Sequence, residues 1–560
     1  MDGLGQAIRP VLIWREMTKP GPAQGVPCAS EGEGTSLPQQ QRKTRMKALP
    51  LLNSTAAGLI VTLVAVPVLA EQAPGFFDMH GAEPKFAPGD FKPAPETIET
   101  RFGRLEFPGG YPTEETAQKV YDELDLQRAT QLYLDMYPAL SAHGLMTGWV
   151  RDLEMEDSSH IRVTADRLDS SALVLTGNTE SLYAFVVFDL KSDGPTVFEV
   201  PPGVMGPLDD HNFLFAADIG PTGPDKGQGG KYLLLPPGYE GEVPDGYFVV
   251  RSPTYMNFSF IRANAAEVGF GESALAYYRE NAKVYPLATG PKAPVVKNAT
   301  NVAWNSLVPE DASAFQWMHD IINYEPADAF GKELLGRLAS LGIKQGEPFN
   351  PDARMQKILE QAAQEGVAMS RVIAFESRQP DAVVYPGLRW ESPFIGNSST
   401  FDPDGYFNLE ARTTFHFTAD GITPAMAMQM PEGTGSRYQT TYKDATGAYL
   451  DGGQTYKLTM PPDVPVALFW SVTLYDPWTR SELQSRPYPS ISSQQTPAPE
   501  ANADGSVDLY FAPEKPADIP EQNWVPTLPD RGFFAYIRYY GPLNAFNEKT
   551  WVPNDVVMIE

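Results

Sequence analysis

Cysteine is all but absent from this chain, with Cys28 the only one in 560 residues. A single thiol forms no intrachain disulfide, so the fold must be held by its core. Cys28 also lies in an N-terminal segment expected to be missing from the working protein, which excludes thiol catalysis and Cys-ligated zinc. Histidine is scarce too: His80, His143, His160, His211, His319 and His416 are all there are. No two of them stand at the His-x-His or His-x₃-His spacing that puts two imidazoles on one strand or helix face, so no metal site is expected. There is no Gly-x-Ser-x-Gly nucleophile elbow and no dinucleotide fingerprint between a strand and a helix, and no cofactor is expected either. Positive charge is in deficit, with 43 Lys and Arg against 70 Asp and Glu and a net charge of −27. Such a field repels phosphate backbones, which excludes nucleic acid as a partner. Long hydrophobic runs are lacking as well. The most apolar stretch, Ala56 to Ala70, is broken by Gly58, Thr62 and Pro67. It is about 15 residues long, whereas a membrane-spanning helix needs roughly 20.

What that stretch does have is the layout of a cleaved signal peptide. Arg42, Lys43, Arg45 and Lys47 precede it, Pro67 breaks it, and Val68-Leu69-Ala70 presents small residues before the polar Glu71. The sequence therefore predicts a start at Met46, a signal peptide over 46–70, and export to the periplasm or the medium without a stable membrane anchor. Residues 1–45, without apolar periodicity, read as a mis-assigned upstream segment, and the Pro- and Gly-rich 71–95 as an extended arm.

The first periodic element follows. Thr113 is a fitting N-cap, Glu114 and Glu115 suit the positive helix end, and Ala117, Val120, Tyr121, Leu124, Leu132, Tyr133 and Met136 form a stripe that Pro138 should stop. The stripe predicts an amphipathic helix packed on a sheet. Strand signals then dominate, at Tyr183–Leu190, Thr196–Val200, Tyr232–Leu235 and Tyr247–Arg251. The five-glycine stretch Gly220 to Lys231 lacks the setting of a phosphate loop and reads as a flexible surface loop. A helical insert is expected over 265–389, its clearest piece capped by Asn350 with Pro351 at the first position and Gly366 as its stop. Strands return at Arg412–Thr418, Gln454–Met460, Val466–Asp476, Val507–Phe511 and Phe533–Tyr540. The fold class expected is mainly β with a helical insert: two jelly-roll-like antiparallel β-sandwich domains, 96–264 and 390–560.

Arg101-Phe-Gly-Arg-Leu-Glu-Phe-Pro-Gly-Gly-Tyr-Pro112 followed by Tyr121-Asp-Glu-Leu-Asp-Leu-Gln-Arg-Ala129 resembles the opening of the bacterial domain of unknown function 1254. Phe469-Trp-Ser-Val-Thr-Leu-Tyr-Asp-Pro477, Asn502-Ala-Asp-Gly-Ser506, Asn523-Trp-Val-Pro526 and Tyr539-Tyr-Gly-Pro542 resemble its usual companion, domain of unknown function 1214. The resemblance implies an exported protein with two jelly-roll-like domains similar to those of large viral capsid proteins, and by that analogy a homo-oligomer, a trimer. It implies no activity. Where that family commonly has Asn-x-Asp-Thr-x-Tyr, this chain has Asn178-Thr-Glu180-Ser181-Leu-Tyr183, which keeps the polar chemistry but alters its reach.

Several residues carry candidate chemistry. Asp209-Asp210-His211 sets carboxylates beside an imidazole, either an acid/base pair or a solvated loop. His416 is expected on the polar face of a half-buried strand. Trp470 should be core, sharing a face with Leu468, Val472 and Leu474. Alternation groups Arg538 with Phe534, Tyr536 and Tyr540, a guanidinium among rings that suits a carboxylate or planar ligand, unless Asp476 pairs with it. Asn502 to Asp508 and Asp402 to Gly405 mimic calcium loops but lack the terminal glutamate, and read as turns. Two functions stay open. One is a non-catalytic ligand-binding or assembly-forming protein, for a small molecule such as a carbohydrate or lipid, with Asn178, Arg538, Tyr536 and Tyr540 as binding residues. The other is a metal-independent hydrolase or lyase with Glu180, Tyr183 and His211 as catalytic groups.

Overall fold

The computed structural model describes residues 94–559. The signal-peptide stretch, nearly all of the arm, Cys28 and His80 lie outside the described residues. Helix α1, Glu114–Asp152, starts as its sequence directs, with the Thr113 side chain accepting from the Thr116 N–H. It does not stop at Pro138 but runs 14 residues beyond it. A proline there removes one N–H and crowds the preceding turn, at a cost of about 3 kcal/mol. Tyr133, Met136 and Tyr137 before it and Leu145, Met146 and Trp149 after it are all buried. At about 1.5–3 kcal/mol for each large side chain, their burial outweighs the kink.

The same helix serves two cores. Its middle packs with α2 (Ser313–Tyr324), the helix Lys332–Ser340 and α3 (Ala353–Phe375). Its last turns lie against a sheet, where Trp149 stacks on Phe185 with ring centres 4.7 Å apart. The expected sheet contact is there, then, but half the helix is buried among helices. Helix α3 is capped by Asp352, two residues after Asn350, and continues past Gly366 to Phe375. Gly366 is a contact rather than a stop, since a Cβ there would come within 2.5 Å of the Tyr133 ring.

Sheets frame both halves; of the described residues 29% are helical and 26% strand. In the first half, β1 (Leu182–Asp189), β2 (Val204–Asp210), β3 (Phe215–Ile219) and β4 (Met256–Ala263) belong to a six-stranded sheet completed by His160–Val163 and Val295–Asn298. A four-stranded sheet, including Thr196–Val200 and Gly230–Leu235, covers one face, and Val186, Phe188, Phe198, Tyr232, Leu234 and Ile261 fill the space between. The second half repeats this plan. Strands β5 (Ser436–Thr441), β6 (Val466–Tyr475) and β7 (Phe534–Pro542) pair with Ser490–Ser492 as one sheet, and Thr455–Met460 with Val507–Ala512 lie in the other. Trp470, Val472 and Leu474 do enter the core between them.

Four differences from the sequence reading matter. Pairing is not uniformly antiparallel: Val295–Asn298, Phe248–Arg251 and Trp524–Pro526 each join a sheet edge in parallel. Strands Lys283–Pro286, Val295–Asn298 and Trp304–Asn305 fall inside the stretch expected to be helical, yet ladder with first-half strands. Residues 412–418 are not a strand but most of helix α4, Leu409–Thr418, whose Asn408 side chain accepts from the Ala411 N–H. That run is buried on nearly every side, and a short buried run has no periodicity to separate helix from strand. Finally, the glycine-rich 220–231 is anchored. The buried Asp225 accepts from the Gly220 N–H, the Gly229 N–H and the Tyr232 hydroxyl, and a Cβ on Gly220 or Gly229 would lie 2.5 Å from a backbone oxygen.

Gly144 and Gly148, one turn apart on α1, let the chain at Asn305–Ser306 lie directly on the helix. A Cβ would meet Ser306 O at 2.2 Å or Asn305 O at 2.5 Å. Gly144→Ala is expected to cost about 1–3 kcal/mol in denaturant unfolding, because backbone cannot move aside as a side chain does. Gly336→Ala, in an exposed helical position with open space around it, is expected to gain about 0.5–1 kcal/mol.

Candidate functional site: a cavity where the two halves meet

Alternation along two strands builds the site. On β4, Ile261 and Ala263 enter the sandwich core, leaving Phe260 and Arg262 on the opposite face. On β7, Ala535, Ile537 and Tyr539 enter the second core, leaving Phe534, Tyr536, Arg538 and Tyr540 on the other side, as the sequence predicts. These outward faces border one cavity of about 580 Å³. Tyr183, Phe260 and Arg262 come from the first half, Tyr438, Phe469, Tyr536, Arg538 and Tyr540 from the second. Phe394, Phe415, Asp420 and Met426, from the segment joining the halves, complete the wall.

Two guanidiniums face this space, and among the described residues neither has a carboxylate within 4.0 Å. Arg538 is 3% exposed and nearly saturated. It donates to the Tyr475 hydroxyl at 2.6 Å, to Thr473 Oγ1 at 3.2 Å, and across the junction to the carbonyls of Thr176 at 2.7 Å and Gly177 at 3.1 Å. The rings of Tyr536, Tyr475 and Tyr438 surround it at 5.5–6.0 Å. The expected partner Asp476 pairs instead with Arg531 at 2.6 Å. Arg262 donates to Ser436 Oγ at a long 3.3 Å, has the Tyr438 hydroxyl beside it and lies 5.9 Å from the Tyr540 ring, so part of its fork is left to receive an anion.

The phenols are donors. Burial raises the pKa of Tyr183, Tyr536 and Tyr540, keeping them protonated, and among the described residues the buried hydroxyls of Tyr438, Tyr536 and Tyr540 have no well-formed hydrogen bond, though Thr176 and Thr418 lie beside that of Tyr536. Asp420, just past α4, accepts from the Leu175 N–H at 3.1 Å and from the Ser141 hydroxyl at 3.3 Å. Burial pushes its carboxyl up to about 7 from 3.8, against the pull of those two donors. Burial raises Asp218 as well, opposed by the hydroxyls of Thr423 and Thr222.

Six of the seven residues singled out from the sequence meet at this cavity. Asn178, Glu180, Tyr183, Tyr536, Arg538 and Tyr540 all line it. Asn178 holds the turn, its Oδ1 accepting from the Glu180 N–H at 3.0 Å, and Glu180 accepts from Ser490 at 2.7 Å across the junction. His211 does not join them. It is buried elsewhere, with Nδ1 2.7 Å from Glu325 and Nε2 3.3 Å from His143, whose own pKa falls to about 3 through burial and then through His211. Asp209-Asp210-His211 is thus buried rather than a solvated loop, and His211 meets Glu325 rather than Asp209, which accepts from the Ile422 N–H. His416 is wholly buried beside Phe213 and Phe401, and neither ring nitrogen has a hydrogen-bond partner among the described residues. Asn502–Ser506 and Asp402–Gly405 are turns with Gly505 and Gly405 at positive φ. Among the described residues no three His, Cys, Asp or Glu side chains are grouped to hold a metal ion.

Arg262 was missed by the sequence reading, although it carries the signal that marked Arg538, an arginine following aromatic residues at every second strand position. Asp420 and Phe394 have no such signal, because loop residues become site residues only through packing.

Residues 157–286 match the family described as Protein of unknown function (DUF1254), and residues 435–544 match Protein of unknown function (DUF1214). The order is the tandem expected from the motifs, while the Arg101–Ala129 motif precedes the matched residues. A crystal structure of the VPA0106 protein from Vibrio parahaemolyticus is similar, with 17% identity, a TM-score of 0.47, and 78% of this chain and 100% of that one covered. A putative uncharacterized protein from Burkholderia cenocepacia shows 13% identity and a TM-score of 0.34, over 79% of this chain and 96% of that one. No curated protein matches the chain.

The raised Asp420 carboxyl makes a pH prediction. The folded protein holds a proton that the unfolded chain releases, so Asp420 costs stability progressively as pH rises from about 4 to about 7. Asp420→Asn removes that term. Its thermal midpoint relative to the unsubstituted protein should climb across this range and level off above it.

Proposed function

We propose that this chain, which carries the DUF1254 and DUF1214 families in tandem, is an exported protein that binds a small amphipathic organic anion in the cavity between its two halves. The observation that carries this reading is Arg262, a cavity-facing guanidinium with no carboxylate within 4.0 Å among the described residues and only hydroxyls, those of Ser436 and Tyr438, beside it. A half-buried cation with unfilled donors is costly unless water or a ligand completes it. The aromatic walls suit an apolar body, the unfilled tyrosine hydroxyls supply further donors, and the volume is that of a small-molecule site. Among the chemistries open from the sequence, a lipid-like or aromatic carboxylate fits better than a neutral carbohydrate. Export is supported by the basic, apolar and small-residue pattern ending at Ala70, and the trimer and the jelly-roll kinship rest on family analogy alone.

Asp420 favours a second reading of the same cavity. A carboxyl near 7 at the wall can give or take a proton at working pH, as a hydrolase or lyase would require. Under that reading Asp420 takes the acid/base role first assigned to His211.

Calorimetric titration separates ligand classes. Phenylacetate and octanoate should bind the full chain, and glucose and benzyl alcohol should not. Arg262→Gln should weaken the carboxylates about 10- to 100-fold, the worth of a charged hydrogen bond. Equal binding of the neutral compounds, or no effect of Arg262→Gln, would remove the proposal.

A further inference from the structure

Beside the main cavity lies a second recess of about 360 Å³, and the two share three wall residues, Phe394, Met426 and Tyr438. These three side chains border both, at the edge of the second sheet where β5 is the outermost strand. Phe394 and Tyr438 are held in place: their rings lie 5.8 Å apart, Phe394 packs on Phe415 at 4.8 Å, and both are nearly buried. Met426 is the movable member. It is only partly buried and sits on Pro424–Ala427, a helix of one turn, and its unbranched thioether chain can swing where an aromatic ring cannot.

The far recess has its own cations. Arg437 points there because it alternates with Tyr438 along β5, and Lys549 lies on the other side. Arg437 donates to the Ala427 carbonyl at 2.7 Å and the Asn397 side chain at 3.0 Å, while Lys549 donates to the Val384 carbonyl at 2.8 Å. Neither has a carboxylate within 4.0 Å among the described residues. Asp381 also borders the recess and offsets part of this charge, leaving it net positive. Apolar walls between two cationic ends are the complement of a molecule with an anion at each end and a hydrocarbon body.

Resting on the organic-anion reading of the main cavity, we infer that its ligand is an elongated dianion: one carboxylate at Arg262, an apolar chain running through the space that the Met426 side chain yields beside the fixed Phe394 and Tyr438 rings, and a second carboxylate at Arg437 and Lys549. Met426 and Arg437 are then the residues that set ligand length.

The test is a calorimetric series on the full chain, from succinate to dodecanedioate, each beside the monocarboxylate of the same length. Dicarboxylate affinity should rise at least tenfold over its monocarboxylate once the chain is long enough to reach Arg437, and short members should show no such gain. Arg437→Gln should erase the gain. Met426→Trp, which fills the space beside Phe394 and Tyr438 at a partly exposed position, should lose the long dicarboxylates selectively. Should Arg437→Gln fail to fold, Met426→Trp and Lys549→Gln give the same reading. If monocarboxylates bind but no length-dependent gain appears, the inference falls and the organic-anion reading stands. If no carboxylate binds, both fall.

Discussion

A guanidinium buried without a counter-ion is the constraint around which the two halves of this protein meet. Arg538 sits on the central strand of the second sheet and gives two of its donors to the carbonyls of Thr176 and Gly177 in the first half. The Tyr475 hydroxyl donates to the same Gly177 carbonyl at 2.5 Å. Desolvating such a charge costs several kcal/mol unless dipoles and rings replace the water. Here oxygen acceptors and three tyrosine faces replace it, and all of them must be in place together. That requirement fixes the turn at Thr176–Gly177, and with it Asn178, Glu180 and Tyr183, against the second sheet. The cavity is the space left in front of this arrangement.

The electrostatics follow from the same geometry. In a chain of net charge −27, an anion approaches against the overall field and needs a local reason to stay. Arg538 spends its donors on the junction, whereas Arg262 in the first half meets only the hydroxyls of Ser436 and Tyr438 among the described residues. One arginine builds the wall and the other faces the ligand. The phenols, held protonated by burial, add donors without adding charge. Burial lifts the Asp420 carboxyl to about 7, so it offsets Arg262 less than a fully ionised carboxylate would.

Much of this was legible in the sequence wherever a strand period of two was the controlling variable. The split of Trp470, Val472 and Leu474 from Thr473 and Tyr475, and of Arg538 and its tyrosines from Ile537 and Tyr539, followed from alternation alone. Arg262 obeys the same rule beside Phe258 and Phe260 and was readable in principle. His211 was not. Its partner Glu325 is 114 residues away, so nothing local distinguished a buried structural pair from an acid/base site. The α4 segment misled because Thr414, His416 and Thr418 alternate with Phe415 and Phe417 as in a strand, and only the tertiary setting, buried on nearly all sides, allows the helix. Likewise Pro138 is a sound stop signal that two flanking cores overrule.

The central claim, that Arg262 in the cavity receives an organic carboxylate, is tested most directly by locating one there. A crystal of the full chain soaked with para-iodobenzoate would report the iodine by its anomalous signal and the carboxylate by its density. The account predicts the ring between Phe260 and Tyr540 with its carboxylate on the Arg262 guanidinium. Iodine found only outside the cavity, or a carboxylate turned away from Arg262, would contradict it.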